Sequence, residues 1–176
     1  MKRRLPDLAS LASVYSVIVV MLYGWSLTAF IWKLPSWMNY LSAGELLVIL
    51  AYTLAYGLLD SLAIMAILVL LTALLPQHFL QDDFIVRSVV VLVSLIGSGM
   101  AFLALYVRDG QQIAAHGWIW LAVTLIVLAG LLVVVNRWKT AHHAVAWFAD
   151  QTTIFLFILT PLSLISALVV LYRNLF

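Results

Sequence analysis

Five long apolar runs dominate the sequence and restrict what the chain can fold into. A helix that spans a lipid bilayer needs about 20 mostly apolar residues. The runs have that length or more, and they cover residues 8–32, 46–75, 88–107, 117–136 and 152–172. Only short connections separate them, which leaves no room for a soluble domain. The sequence therefore predicts an all-α polytopic membrane protein, a single transmembrane domain built as a bundle of five transmembrane helices.

The composition excludes several classes of protein. Of the 176 residues, 66% are apolar and 9% are charged, against roughly 25% charged in a soluble domain. A soluble enzyme and a disordered chain are excluded. The nine Lys and Arg residues mostly flank the spans, so we predict lipid as the surrounding medium and no nucleic-acid partner. The absence of cysteine excludes disulfides and thiolate metal sites.

The first run is interpreted as a retained helix rather than a signal peptide. It has 25 residues without a charge from Leu8 to Trp32, which is longer than the apolar region of a signal peptide. Pro35 is placed in the loop that follows, with Trp37 and Tyr40 as aromatic residues of the membrane interface.

The distribution of Lys and Arg predicts the orientation, because cytoplasmic connections carry more of these residues. A cytoplasmic N-terminus puts six of them inside and three outside. The inside group is Lys2, Arg3, Arg4, Arg87, Arg137 and Lys139, and the outside group is Lys33, Arg108 and Arg173. With five spans, the C-terminus is then predicted to lie outside, in a bacterial-type cytoplasmic membrane.

Asp60 is the most informative residue, because it interrupts the middle of the second run. A charge at that depth costs at least a few kcal/mol, and no other span offers a Lys, Arg or His near its middle. We therefore expect a protonated carboxyl that faces the bundle interior. Tyr52 and Tyr56 precede Asp60 at helical spacing, and Thr53 and Gly57 border the same side. These residues form one stripe, in which Asp60, Tyr56 and Tyr52 are the candidate ligand or proton site.

Three roles for Asp60 stay open. It is a structural acid in an internal hydrogen-bond cluster, the docking point for a partner within the membrane, or a proton or cation site of a carrier. Other spans offer hydroxyl groups at a depth comparable to that of Asp60, those of Ser94, Ser98, Thr160 and Ser163.

Helix packing has its own candidates in the third and fifth spans. Ser94 and Ser98 are spaced as small-xxx-small, and so are Gly97 and Ala101, which allows helix backbones to approach closely. Pro161 is expected to kink the fifth helix because its ring clashes with the carbonyl of the residue four positions earlier. The hydroxyls of Thr160 and Ser163 are expected to satisfy the freed backbone groups.

The remaining ionisable residues have ordinary interpretations. Glu45 is read as an N-terminal helix charge favoured by the dipole, and Asp82 or Asp83 as a cap of the third helix. Residues 136–151 are predicted to form an interfacial amphipathic helix, with Trp138, His142, Val145 and Ala149 on one face. His142 and His143 are adjacent and so point about 100° apart. We interpret them as histidines at the lipid headgroups rather than as a metal site that Asp150 would complete.

These observations favour a small non-enzymatic membrane subunit or scaffold of a larger complex, with a protein partner or a homo-oligomer in the bilayer. The alternative is a small transporter or channel that uses Asp60 as a proton or cation site. No catalytic residue, metal or cofactor is predicted, because no nucleophile motif, acid pair or metal cluster is visible. A carrier would need a water path from Asp60 to one membrane face, and a scaffold would not.

Overall fold

The computed structural model describes residues 6–74, 83–107 and 113–175. Within these ranges the chain forms five long helices: α1 (Leu8–Trp37), α2 (Ala43–Leu74), α3 (Phe84–Phe102), α4 (Ile113–Arg137) and α5 (Lys139–Leu175). A π-helical segment, Leu103–Val107, follows α3. Each helix contains a stretch that is long and apolar enough to cross a membrane. The predicted all-α class with five apolar helices is confirmed, and the chain is a multi-pass membrane protein.

The end of α1 differs from the sequence prediction. The helix continues to Trp37, so Pro35 lies inside its last turn and its placement in a loop is wrong. A proline near the end of a helix removes one backbone hydrogen bond and leaves the other bonds in place. The chain closes the turn with the N–H groups of Met38 and Leu41, which donate to Leu34 (2.9 Å) and Trp37 (2.8 Å).

The start of α2 carries a complete capping box. The Glu45 carboxylate accepts hydrogen bonds from the backbone N–H and the hydroxyl of Ser42, both at 2.8 Å. The Glu45 N–H donates back to the Ser42 hydroxyl at 3.4 Å. This reciprocal pair satisfies two donors at the helix start. The interpretation of Glu45 as an N-terminal helix charge is confirmed.

The start of α3 is built differently from the prediction. Asp83 occupies the N-cap position, but it has a left-handed backbone (φ 58°) and its side chain makes no capping hydrogen bond. A capping side chain needs a β-region backbone at this position, so the predicted role is wrong for Asp83. Its carboxylate instead lies 3.6 Å from Nε2 of His142. Asp82 lies outside the described residues.

The interfacial helix predicted over residues 136–151 is helical from Lys139 onward, but it is not separate from the fifth span. Helix α5 runs without interruption through 37 residues, or about 55 Å at 1.5 Å per residue. No Gly or Pro separates Lys139 from Thr152, so the helix propagates directly into the span. Val145 on this segment packs against a small core formed by Val86, Val90 and Val135.

Intramolecular contacts group the chain into two compact units. One contains residues 1–14 and 72–151, and the other contains residues 15–71 and 152–176. The core of the second unit is formed by Val19, Tyr23 and Leu54, with Leu50 and Leu159 packed against it. Asp60 and the tyrosine stripe belong to this second unit. A single transmembrane domain remains a prediction.

Candidate functional site

The stripe predicted on α2 is present as a row of side chains, but Tyr56 and Asp60 in this row face away from the packed core. The rings of Tyr52 and Tyr56 have centroids 6.3 Å apart with planes tilted by 30°. The hydroxyl of Tyr52 donates to the amide oxygen of Asn174 on α5 (3.2 Å), and the Asn174 amide nitrogen donates to it at 2.9 Å. Tyr56, one turn further along, is 60% exposed.

Asp60 itself is exposed. Among the described residues no hydrogen bond or ion pair to its carboxyl is found. The expectation that Asp60 and Tyr56 face the bundle interior is therefore wrong. The physical reason lies on the other side of the helix, where Leu54, Leu58 and Ser61 are buried and make the contacts that orient α2. Its role as a ligand, proton or docking site remains a prediction.

A buried hydroxyl network lies on the inward side of α2. The phenol oxygen of Tyr23 is 2.6 Å from the Ser163 hydroxyl, and it donates to the backbone carbonyl of Leu54 at 3.2 Å. Ser163 donates its one hydroxyl proton to the carbonyl of Leu159 at 2.7 Å. Its oxygen therefore accepts from Tyr23, whose phenol proton is shared between Ser163 and the Leu54 carbonyl. Tyr23 is 2% exposed, so this network joins α1, α2 and α5 without access to water.

Glycine at position 57 makes room for this network. A Cβ atom built on Gly57 would lie only 3.1–3.3 Å from three ring carbons of Tyr23. The tyrosine ring therefore lies flat against the backbone of α2, and this lets its hydroxyl reach the Leu54 carbonyl. The sequence pattern places Gly57 only at the border of the stripe and does not predict its contact with Tyr23.

Two further hydroxyl pairs connect the helices of this unit. The phenol of Tyr15 lies 3.1 Å from the Ser61 hydroxyl, and Ser16 lies 2.8 Å from Thr152 with both groups buried. In a bilayer such interhelical hydrogen bonds contribute about 0.6 kcal/mol on average. The sequence of α1 carries a signal for these contacts, because Tyr15 and Tyr23 are eight residues apart and share one face of the helix.

A double-mutant cycle at Tyr23 and Ser163 measures the strength of this network. We expect Tyr23→Phe and Ser163→Ala each to lower the free energy of unfolding, with a coupling energy of about 0.5–1.5 kcal/mol. Unfolding titrations in mixed detergent micelles supply the four free energies. Tyr40→Phe, at a phenol that is 84% exposed, is the matched control, and additive effects at Tyr23 and Ser163 would contradict the contact.

The small residues of α3 line a groove toward α4. Ser98 lies 2.5 Å from the hydroxyl of Thr124, and the indole N–H of Trp120 donates to the Ser98 hydroxyl at 2.8 Å. A cavity of about 450 Å³ is lined by Ser94 and Gly97 together with these residues. The Ser94 hydroxyl is buried there without a partner among the described residues. The groove is largely apolar, and its geometry indicates packing rather than chemistry.

Pro161 lies inside α5, and the helix is continuous on both sides of it. Its kink remains a prediction. Ser163 does bind a backbone carbonyl, that of Leu159. The hydroxyl of Thr160 is buried and has no partner among the described residues, so the expectation that it satisfies freed backbone groups is wrong.

The histidines do not assemble a metal centre in the described part of the chain. No group of three His, Asp or Glu side chains close enough to hold a metal ion is found there. The rings of His142 and His143 are 6.0 Å apart and nearly perpendicular. Of these two histidines, His142 lies 3.6 Å from a carboxylate of the described residues, that of Asp83, and one such contact does not form a metal site.

No protein family model, curated protein or solved structure matches this chain.

Proposed function

We propose that this protein is a non-enzymatic integral membrane subunit or scaffold that holds a partner membrane helix against the Asp60 side of α2. The observation that supports the proposal is the exposure of Asp60 on a helix face turned away from its own core. A lipid-facing carboxyl without a hydrogen-bond partner is unfavourable by several kcal/mol. A partner that supplies a polar group removes this cost.

The position of Asp60 along α2 excludes escape to the membrane surface. The residue is 17 positions from Ala43 and 14 from Leu74, which corresponds to about 26 Å and about 21 Å along the axis. A short aspartate side chain cannot cover such a distance, unlike the long Lys and Arg side chains that reach the interface. The carboxyl therefore needs its partner at the depth of the helix middle.

The surroundings of Asp60 favour association over transport. Most of the exposed neighbours of Asp60 on α2 are apolar, such as Leu59 (60% exposed) and Leu62 (49%), and Tyr56 is the exposed polar neighbour one turn away. A proton or cation carrier needs polar groups that lead from the carboxyl to one membrane face. The hydroxyls of Tyr23, Ser61 and Ser163 are buried on the inward side of this unit. On the Asp60 side, the described polar groups are Tyr56 and the pair of Tyr52 with Asn174.

We also propose the topology of the chain: its N-terminus is cytoplasmic and its C-terminus lies outside, in a bacterial inner membrane. We expect alkaline phosphatase fused after Phe176 to be active, because this enzyme needs the oxidising outer compartment to form its disulfides. A fluorescent protein fused at the same place should stay dark. The opposite pair of results would contradict the topology.

A photo-crosslinking amino acid tests the partner directly in intact cells. Benzoylphenylalanine at Ile67, which is 57% exposed on the Asp60 side of α2, should give a protein adduct of discrete mass. The matched control is Leu62, which is 49% exposed and points about 140° away from Ile67. A protein adduct at Ile67 and none at Leu62 supports the proposal. No protein adduct at either position, or equal yields at both, would contradict it.

A further inference from the structure

We propose that the partner is a second copy of this chain, and that two α2 helices pair in parallel through a seam formed by Tyr56, Asp60, Ala63, Ile67, Leu70 and Leu74. This inference rests on the proposed function, because it names the helix that covers Asp60. It adds the identity of the partner, the register of the contact and the chemistry at its centre.

The spacing of the seam is that of a coiled coil. Asp60, Ile67 and Leu74 follow one another at intervals of seven residues, and so do Tyr56, Ala63 and Leu70. The two series alternate with steps of three and four residues, as the a and d positions of a heptad do. Transmembrane helices that cross at about +20° use this same left-handed packing.

Among the residues that the structure describes, none covers the seam. All six of its residues are exposed, and Ile67, Leu70 and Leu74 are exposed by 57%, 59% and 78%. The residues that bury α2 in its own unit, among them Leu54, Leu58 and Ser61, lie on the opposite side of the helix at about 100° per residue. One face of α2 therefore holds the unit together, and the other remains available for a second helix.

The chemistry of Asp60 suits pairing with a second copy. In a parallel two-fold pair, each a position faces the same a position of the other helix. Two copies inserted with the same topology therefore bring both Asp60 carboxyls to one depth. A protonated carboxyl is donor and acceptor at once, so the pair satisfies itself with hydrogen bonds. The chain has no Lys, Arg or His within the other four apolar runs that could serve instead.

The neighbours of Asp60 on the seam fit this arrangement. Ala63 is small, and small residues at a helix interface permit close approach of the two backbones. Tyr56 adds a second polar group one turn away from Asp60. A single polar residue at an a position also fixes the register of a helix pair, so the contact has one preferred alignment along the membrane normal.

Single cysteines test the pair in a chain that has none of its own. Two differently tagged copies, both carrying Ala63→Cys or both carrying Ile67→Cys, are expressed together and oxidised in native membranes. We expect a disulfide-linked species that contains both tags. Leu62→Cys is the matched control, and we expect at least tenfold less of the linked species from it.

The outcomes separate this inference from the proposed function. Equal yields at Ile67 and Leu62, or no linked species at Ala63 and Ile67, would overturn the second copy. If benzoylphenylalanine at Ile67 then still gives an adduct whose mass differs from two copies, the proposed function stands and a different chain is the partner. If it gives no protein adduct either, both proposals fail.

Discussion

Replacing Gly57 by leucine should lower the free energy of unfolding by about 2–4 kcal/mol. The new side chain would occupy the space of the Tyr23 ring, which lies 3.1–3.3 Å from the position of a Cβ atom on Gly57. Overpacking of this kind costs about 1–3 kcal/mol. Displacement of the ring also breaks the hydrogen bonds of Tyr23 to Ser163 and to Leu54, which adds about 0.6 kcal/mol for each.

Gly24→Leu provides the matched control for this substitution. Gly24 lies on α1, and a Cβ atom there would meet nothing within 4 Å. We expect a change of less than about 0.5 kcal/mol or a small gain, since glycine is about 1 kcal/mol less favourable than alanine within a helix. Unfolding in detergent mixtures compares the two variants. Equal losses of stability would contradict the close contact of Tyr23 with Gly57.

Substituting Asp60 should affect association and leave the fold of the single chain intact. We expect Asp60→Leu to weaken self-association in mild detergent by about 0.6–2 kcal/mol, or about three- to thirtyfold. Asp60→Asn should keep most of the affinity, because an amide is also donor and acceptor. Sedimentation equilibrium at several protein-to-detergent ratios gives the dissociation constants.

The free energy of unfolding distinguishes a role of Asp60 in association from a structural role within the single chain. An internal hydrogen-bond cluster would make Asp60→Leu destabilising, because the polar neighbours would lose their partner. The exposed position of Asp60 predicts instead that unfolding of the dilute, dissociated protein changes little. A large loss of stability in that protein, without a change in association, would contradict the account.

Hydropathy was sufficient to predict the number and the approximate positions of the helices. A run such as residues 88–107 has no alternative to a helix in lipid, because the bilayer offers no partner for exposed backbone groups. The ends were less predictable. The sequence pattern places Pro35 in a loop and makes residues 136–151 a helix of their own, yet Pro35 is helical and the helix that begins at Lys139 continues into the span, since local polarity does not stop a helix that has already formed.

The direction of the Asp60 stripe could not be predicted from α2 alone. The row formed by Tyr52, Tyr56 and Asp60 follows from helical spacing, but both sides of α2 are apolar. In a membrane the lipid-facing side is as hydrophobic as the packed side. The tight fit of Tyr23 on Gly57 decides the orientation, and it depends on a residue 34 positions away in the sequence.

Oxygen accessibility along α2 distinguishes a seam that is covered by a second helix from one that is covered by lipid. Single nitroxide labels are placed at Ala63, Ile67 and Leu70, with Leu62 as the reference, and the cysteine-free protein is reconstituted in phospholipid vesicles. The account predicts low oxygen accessibility at the three seam positions and high accessibility at Leu62, because a second α2 helix excludes lipid from the seam. High accessibility at all four positions would show that lipid covers Asp60 and would contradict the account.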